Sequence, residues 1–399
     1  MLLFGTTFSA FAAPPKSPQS VVEEIATLPA DVVQIPTAIP AFIGITATQP
    51  TGPAAFLKVT SLAGYEQAFG GDVGQNAYLH ASMKLFFANG GGEAYVWSIG
   101  TKLADLTRDA FVVALKSLEN ERDPTLVLFP DAVNLNPDDL GAVQQAALAH
   151  CAQVGFRFCI LDVGSADGLA KVDDAQSGLR AKIGLDNLDR GAAYGPWLQV
   201  TPAEDGSPVA VPASGAIAGI YAAVDAQRGV WKAPANVAIT GMVGLTETID
   251  DRAQETLNVT PGGKSINAIR AFPGKGTLVW GARTLNGNSN EWRYVPVRRL
   301  FLTLEESIRR STGFAVHEPN DANTWIKVRA MVERYLDDLW RQGALAGSKP
   351  AQAYFVNVGL GTTMTAEDIL AGRLNITVGV AAVRPAEFII IQIRLQMQQ

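Results

Sequence analysis

Residues 266–310 read INAIRAFPGKGTLVWGARTLNGNSNEWRYVPVRRLFLTLEESIRR, and the rest of the chain is parsed outward from them. Residues 269–272 and 277–280 are short apolar runs on either side of Pro273-Gly274-Lys275-Gly276. That pattern predicts a β-hairpin in which glycine supplies turn conformations rather than phosphate contacts. The charged segment that follows, through Glu305, Glu306, Arg309 and Arg310, predicts a helix.

Two longer patterns occupy the same stretch. Residues 267–285 read N-A-I-R-A-F-P-G-K-G-T-L-V-W-G-A-R-T-L, and residues 292–308 read W-R-Y-V-P-V-R-R-L-F-L-T-L-E-E-S-I. In this order they resemble the signature of contractile tail sheath proteins. Further segments are similar to the same family: FAVHEPND at 314–321, LWRQGALAG at 339–347, RPAEF at 384–388 and PTAIPAFIG at 36–44. The resemblance covers roughly residues 20–100 and 235–395, and the middle departs as surface loops do. At the N-terminal side the family's P-G-V-Y-V-E-E becomes PQSVVEE at 18–24, without the Gly and the Tyr.

The resemblance implies a mixed α/β (α+β) fold. A core domain built from N- and C-terminal segments would carry an inserted helix–strand alternating domain, subtilisin-like but non-catalytic, with terminal arms that exchange strands. The boundaries expected are an extension at 1–18, arm and linker at 19–40, core at 41–100, insertion at 101–260, core again at 261–382 and a C-terminal arm at 383–399. It further implies a structural subunit that forms homo-oligomeric, helically stacked hexameric rings around an inner tail tube protein, with baseplate and tail terminator proteins as partners. Such a sheath is assembled in a bacterial cytoplasm as part of a phage tail or contractile injection particle. It contracts without a nucleotide or other cofactor.

The strands expected to be exchanged are Val21, Val22, Glu23, Glu24 and Ile25 at one end, with Phe388, Ile389, Ile391, Ile393, Leu395 and Met397 at the other. The second set has its own physical support. Positions 389, 391, 393, 395 and 397 are apolar while 392, 394 and 396 are polar, the period of a half-buried strand. A strand there has an edge that is a hazard unless used or covered. Residues 322–342 predict a long helix with Trp325, Val328, Val332, Tyr335 and Leu339 along one stripe. Its outer face offers Arg329 with Glu333, Arg334 with Asp338 and Arg341 with Asp337 at i,i+4 spacing. Arg329, Arg334, Arg341 and Arg373 are the candidates for tube-facing or lattice contacts.

Composition fits a protein of two or three domains. The chain has 399 residues, 48% hydrophobic and 18% charged, with a formal net charge of -6. The acidic balance argues against nucleic-acid binding, which needs clustered Lys and Arg. Cys151 and Cys159, the two cysteines, sit in an apolar segment and predict buried free thiols rather than a zinc site or a disulfide framework. The opening MLLFGTTFSAFAA has a signal-like Ala10-Phe11-Ala12 triplet but no preceding Lys or Arg, so an extension is expected there. No apolar run reaches transmembrane length, and membrane insertion is not expected.

From about 101 to 233 the pattern alternates helix and strand: 106–119 before 125–130, and 140–154 before 156–163, with 197–200 and 214–227 extending it. That order implies helices on a largely parallel sheet. It also raises the rival reading, an α/β hydrolase or nucleotide-using enzyme built on 101–260. His80, His150 and His317 are the histidines, and no Ser in a Gly-flanked elbow accompanies His150. Asp131 and Asp162 follow strands, where they are expected to cap the next turns. Pro261-Gly262-Gly263-Lys264-Ser265 ends like a phosphate loop but has Asn258 where the first glycine belongs. No catalytic, cofactor or metal residue is therefore assigned.

Overall fold

The computed structural model describes residues 31–52, 54–201, 206–383 and the backbone of 388–396. The expected arm residues Val21, Val22, Glu23, Glu24 and Ile25, the 1–18 extension and Met397 lie outside them. The chain runs through β1 (Pro40–Ile45), β2 (Leu57–Val59), α1 (Leu62–Phe69), α2 (Leu79–Ala88), β3 (Ala94–Gly100) and α3 (Arg108–Leu118). Then come β4 (Leu126–Leu128), α4 (Pro137–Val154), β5 (Phe158–Asp162), α5 (Leu179–Lys182), β6 (Gly191–Gly195), β7 (Leu198–Val200) and β8 (Val209–Val211). After α6 (Ser214–Arg228), β9 (Val237–Ala238), β10 (Gly244–Leu245) and α7 (Asp251–Asn258), the hairpin forms from β11 (Ile266–Phe272) and β12 (Gly276–Val279). The last part holds α8 (Val295–Ser311), α9 (Ala322–Arg341), α10 (Pro350–Ala353), β13 (Tyr354–Val358), α11 (Ala366–Leu370), β14 (Arg373–Ala381) and β15 (Phe388–Gln396).

A nine-stranded sheet in the order β2-β3-β1-β4-β5-β6-β11-β12-β9 organises residues 40–279. From β3 to β11 the strands pair in parallel, as helix–strand alternation requires. Successive side chains leave opposite faces. Ile43, Val127 and Leu161 therefore join one core with Phe111 and Val143 of the α3 and α4 layer. Phe42, Leu128 and Ile160 join another with Met83 and Ile217 of the α2 and α6 layer. The hairpin turn takes the expected form, with φ of 75° at Gly274 and 79° at Gly276.

Three expectations meet the structure here. Strands from 41–100, 101–260 and 261–382 lie side by side in one continuous sheet. Strand pairing joins residues far apart in sequence, which pattern changes along the chain do not reveal. Residues 197–200 do not extend the parallel sheet. Pro196 follows β6 and has no ladder donor, and β7 instead pairs antiparallel with β8 and β10. Finally, the described part of the expected 19–40 arm and linker is held against α8 and α9.

The second unit packs α8 and α9 on the sheet β13-β14-β15. Val328, Val332, Tyr335 and Leu339 are buried in this third core, on the face the sequence periodicity assigns to α9, while Trp325 is half-buried against it. α8 belongs to two cores at once. Val295 and Leu302 enter the sheet's α2 and α6 side, and Phe301, Leu304 and Ile308 enter the third core. A helix enclosed on both sides must neutralise its charges internally, and Arg299 does so with Asp225 of α6 at 2.5 Å.

Candidate assembly interface

The parallel sheet has the layout of an α/β enzyme. β1 connects toward β3 and β4 toward β5, in opposite directions from adjacent strands. The crevice at their C-terminal ends is where a doubly wound α/β protein binds its ligand. Here Asp131 fills it. One carboxylate oxygen accepts from the Ile45 N–H at 2.9 Å and the other from the Tyr78 N–H at 2.5 Å. Asp162, at the end of β5, accepts from the Ser214 N–H at 2.8 Å. Neither α2 nor α6 has a capping hydrogen bond from its own N-cap side chain, so these two carboxylates serve as caps from a distance. The capping role expected for both residues is present, but the capped elements are 53 and 52 residues away, not the adjacent turns. Burial pushes both carboxyls up to about 7, against the pull of the backbone donors.

The other candidates are likewise engaged in structure. His150 Nε2 lies 2.8 Å from Arg157 Nη1. Burial and that guanidinium lower its pKa to about 4, which leaves the imidazole neutral. Lys264 is buried and donates to the Arg180 carbonyl, while Ser265 donates to the Asn258 carbonyl at 2.6 Å. Strand β11 follows them immediately, so the segment lacks the helix N-terminus a phosphate loop needs. Cys151 and Cys159 are buried free thiols, both with raised pKa values caused first by desolvation. A cleft of about 880 Å³ has Ser165 and His80 in its wall. Ser165 donates to Asp167 at 2.7 Å and His80 lies 2.9 Å from Glu66, so hydroxyl and imidazole serve separate carboxylates rather than each other. Among the described residues no group of His, Cys, Asp and Glu could hold a metal ion, and no helix is long and apolar enough to cross a membrane.

The assembly candidates lie in the second unit. β15 pairs antiparallel with β14 of the same chain over nine positions, from Ala381 opposite Phe388 to Arg373 opposite Gln396. This register sets Ile389, Ile391, Ile393 and Leu395 opposite Val380, Val378, Ile376 and Leu374, all four of which are fully buried. Within the described sheet β15 is an edge strand, with one ladder direction unused. The arginines are paired locally: Arg329 with Glu333 at 2.8 Å, Arg341 with Asp337 at 2.7 Å and Arg373 with Asp368 at 2.8 Å. Arg334 departs from the expected i,i+4 pairing with Asp338 and meets Asp31 at 3.0 Å. The N-terminal segment crosses α9 there, a contact invisible to helical spacing.

The chain is similar to known proteins over most of its length. Residues 159–285 match the family described as phage tail sheath protein central domain, and residues 288–396 the phage tail sheath C-terminal domain. The chain is 35% identical to the sheath of an extracellular contractile injection system, the PVC sheath complex in its contracted state, covering 96% of this chain and 98% of that one with a TM-score of 0.74. The anti-feeding prophage helical sheath in its contracted state is 36% identical, covering 95% and 99%, with a TM-score of 0.75. A putative prophage major tail sheath protein of Pseudomonas aeruginosa (strain UCBPP-PA14) is 27% identical over 45% of each chain. The chain thus spans under half the length of that curated relative.

The chain belongs to the contractile tail sheath family. A sheath subunit is a structural protein, and in this one Asp131 is used at the switch point to hold the Ile45 and Tyr78 amides. Sequence patterns missed two of this sheath protein's structural devices. One is the Arg299–Asp225 pair between α8 and α6. The other is a set of hydroxyls that holds residues 31–39. For the latter the only sequence trace is the i,i+4 spacing of Ser307 and Ser311 on α8.

Proposed function

We propose that this sheath subunit polymerises into helically stacked hexameric rings around an inner tube, and that contraction of this lattice drives the tube through a target envelope. The near full-length similarity to two contracted injection-system sheaths carries the reading. The free energy of contraction is then the difference between two packings of one set of interfaces. No nucleotide is needed, in keeping with the use of Lys264 and Ser265 inside the fold. The similarity also favours an extracellular injection particle over a phage tail, since it is both higher and longer than that to the prophage sheath.

Strand exchange is the cohesion we assign to the lattice. The β14 register that accepts Phe388–Gln396 of the same chain offers identical partners to a neighbour's copy. Main-chain hydrogen bonds would give affinity and the buried apolar row of β14 would set the register. Val21 to Ile25 of another subunit is assigned to the unused edge of β15. Arg329, Arg341 and Arg373 remain the proposed lattice or tube contacts, and Arg334, expected among them, is assigned instead to holding Asp31 of its own chain.

Negative-stain microscopy of the purified full chain, alone and with the inner tube protein, tests the reading. Regular tubes with sixfold end views are expected. A protein that stays monomeric at all concentrations, by light scattering and by microscopy, would overturn it. Particles purified from the native source should carry no capsids; capsid-bearing tails would reverse the choice of machine.

A further inference from the structure

Residues 31–39 carry no ladder strand, yet they are not loose. The Val33 N–H donates to Ser311 Oγ and the Ile35 N–H to Ser307 Oγ, each at 3.0 Å. The Ile39 N–H donates to Thr125 Oγ1 at 3.1 Å. The Thr37 carbonyl accepts from Arg299 at 2.9 Å, the Tyr335 hydroxyl donates to Gln34 at 3.3 Å, and Asp31 meets Arg334 at 3.0 Å. Val32 is buried in the third core, and Ile35 and Ile39 are also buried. Side chains of α8 and the turn before β4 thus satisfy this backbone in place of a neighbouring strand, while α9 holds two of its side chains.

We propose that α8 and α9 form a seat for an extended peptide, occupied by Asp31–Ile39 of the same chain in both the extended and the contracted sheath. The proposal rests on the sheath reading above. The seat then holds Asp31–Ile39 at one fixed place on each subunit throughout contraction. Two physical arguments support a persistent seat. Undocking would strip hydrogen bonds from three backbone N–H groups and expose Val32, Ile35 and Ile39 together, each loss adding to the next. Arg299 spans the seat and the Asp225 pair at once, so leaving the seat also disturbs the joint between the two units.

The test uses the solvent-facing pair at the N-terminal end. Asp31→Cys with Arg334→Cys places two accessible thiols where the native side chains meet, while Cys151 and Cys159 stay buried. A short bis-maleimide then ties the segment to α9. Cross-linked subunits should assemble, and their sheaths should contract to the same final length as untreated ones. Sheaths that contract only without the cross-link, or subunits that assemble only without it, would overturn the proposal. Amide exchange gives a second readout that needs no assembly. In the subunit, exchange at Val33 and Ile35 should be slowed at least about tenfold, and Ser307→Ala with Ser311→Ala should abolish that protection. Free exchange at both amides in the native chain would sink the seat, whereas failure of the untreated variant to form tubes bears on the sheath reading alone.

Discussion

Replacing Arg299 by Ala should be among the most destabilising single changes in this protein. The side chains of Arg299 and Asp225 are only 3% and 5% exposed. Two guanidinium nitrogens hold the two carboxylate oxygens at 3.0 and 2.5 Å, a third bond reaches the Thr37 carbonyl, and the group stacks 4.5 Å over Tyr221. Truncation leaves a buried carboxylate without its cation, which costs about 3–5 kcal/mol in comparable pairs. That is a large part of a domain's roughly 5–15 kcal/mol. Removing both charges is a different perturbation: Arg299→Met with Asp225→Leu fills similar volume and should recover most of the loss. Urea denaturation of the unassembled subunit, run on both singles and the double, measures the coupling as a double-mutant cycle. The reasoning fails if Arg299→Ala costs less than about 1 kcal/mol, or if the double variant is as unstable as the single. The first result would mean that water replaces the guanidinium. The second would mean that packing against Tyr221, rather than charge pairing, holds α8 to α6.

Three further outcomes are expected. Asp131 and Asp162 are raised from 3.8 to about 7, so the folded chain holds protons that the unfolded chain releases. Their contribution is full below about pH 4 and is lost as pH rises through 7. Asp131→Asn should therefore gain stability relative to the native chain between pH 5 and 8, and a pH-independent difference in urea midpoints would contradict this. Ile391→Pro removes a backbone donor within a strand and should leave the fold by circular dichroism while blocking sheath formation by microscopy. Deletion of 388–399 should do the same, and Arg394→Gln should be mild; regular sheaths from the truncated chain would make β15 an ordinary strand of its own subunit. His150→Ala removes a neutral partner of Arg157 and should alter stability alone, so loss of contraction in normally assembled particles would restore a chemical role for it.

Helices and strands were legible in the sequence wherever burial repeats with a local period. The stripe on α9, the hairpin around Gly274 and the alternation through β5 are of this kind, because one solvent-averse face is written every 3.6 or two residues. The motif-bearing segments also sufficed for the family, since they occupy the turn and helix that join the two units. Partnership across the fold was not legible. Asp131 and Asp162 looked like local turn caps because nothing in a linear pattern marks a carboxylate that caps a helix more than fifty residues away. Residues 31–39 looked like a linker, with Pro36 inside, Pro40 just after and no period, because their backbone is satisfied by hydroxyls distant in sequence. The pairing of β1 with β4, on either side of residue 100, was hidden for the same reason. Local propensity and periodicity are properties of neighbours in sequence, whereas capping, seating and sheet order are settled by which surfaces meet once the chain has folded.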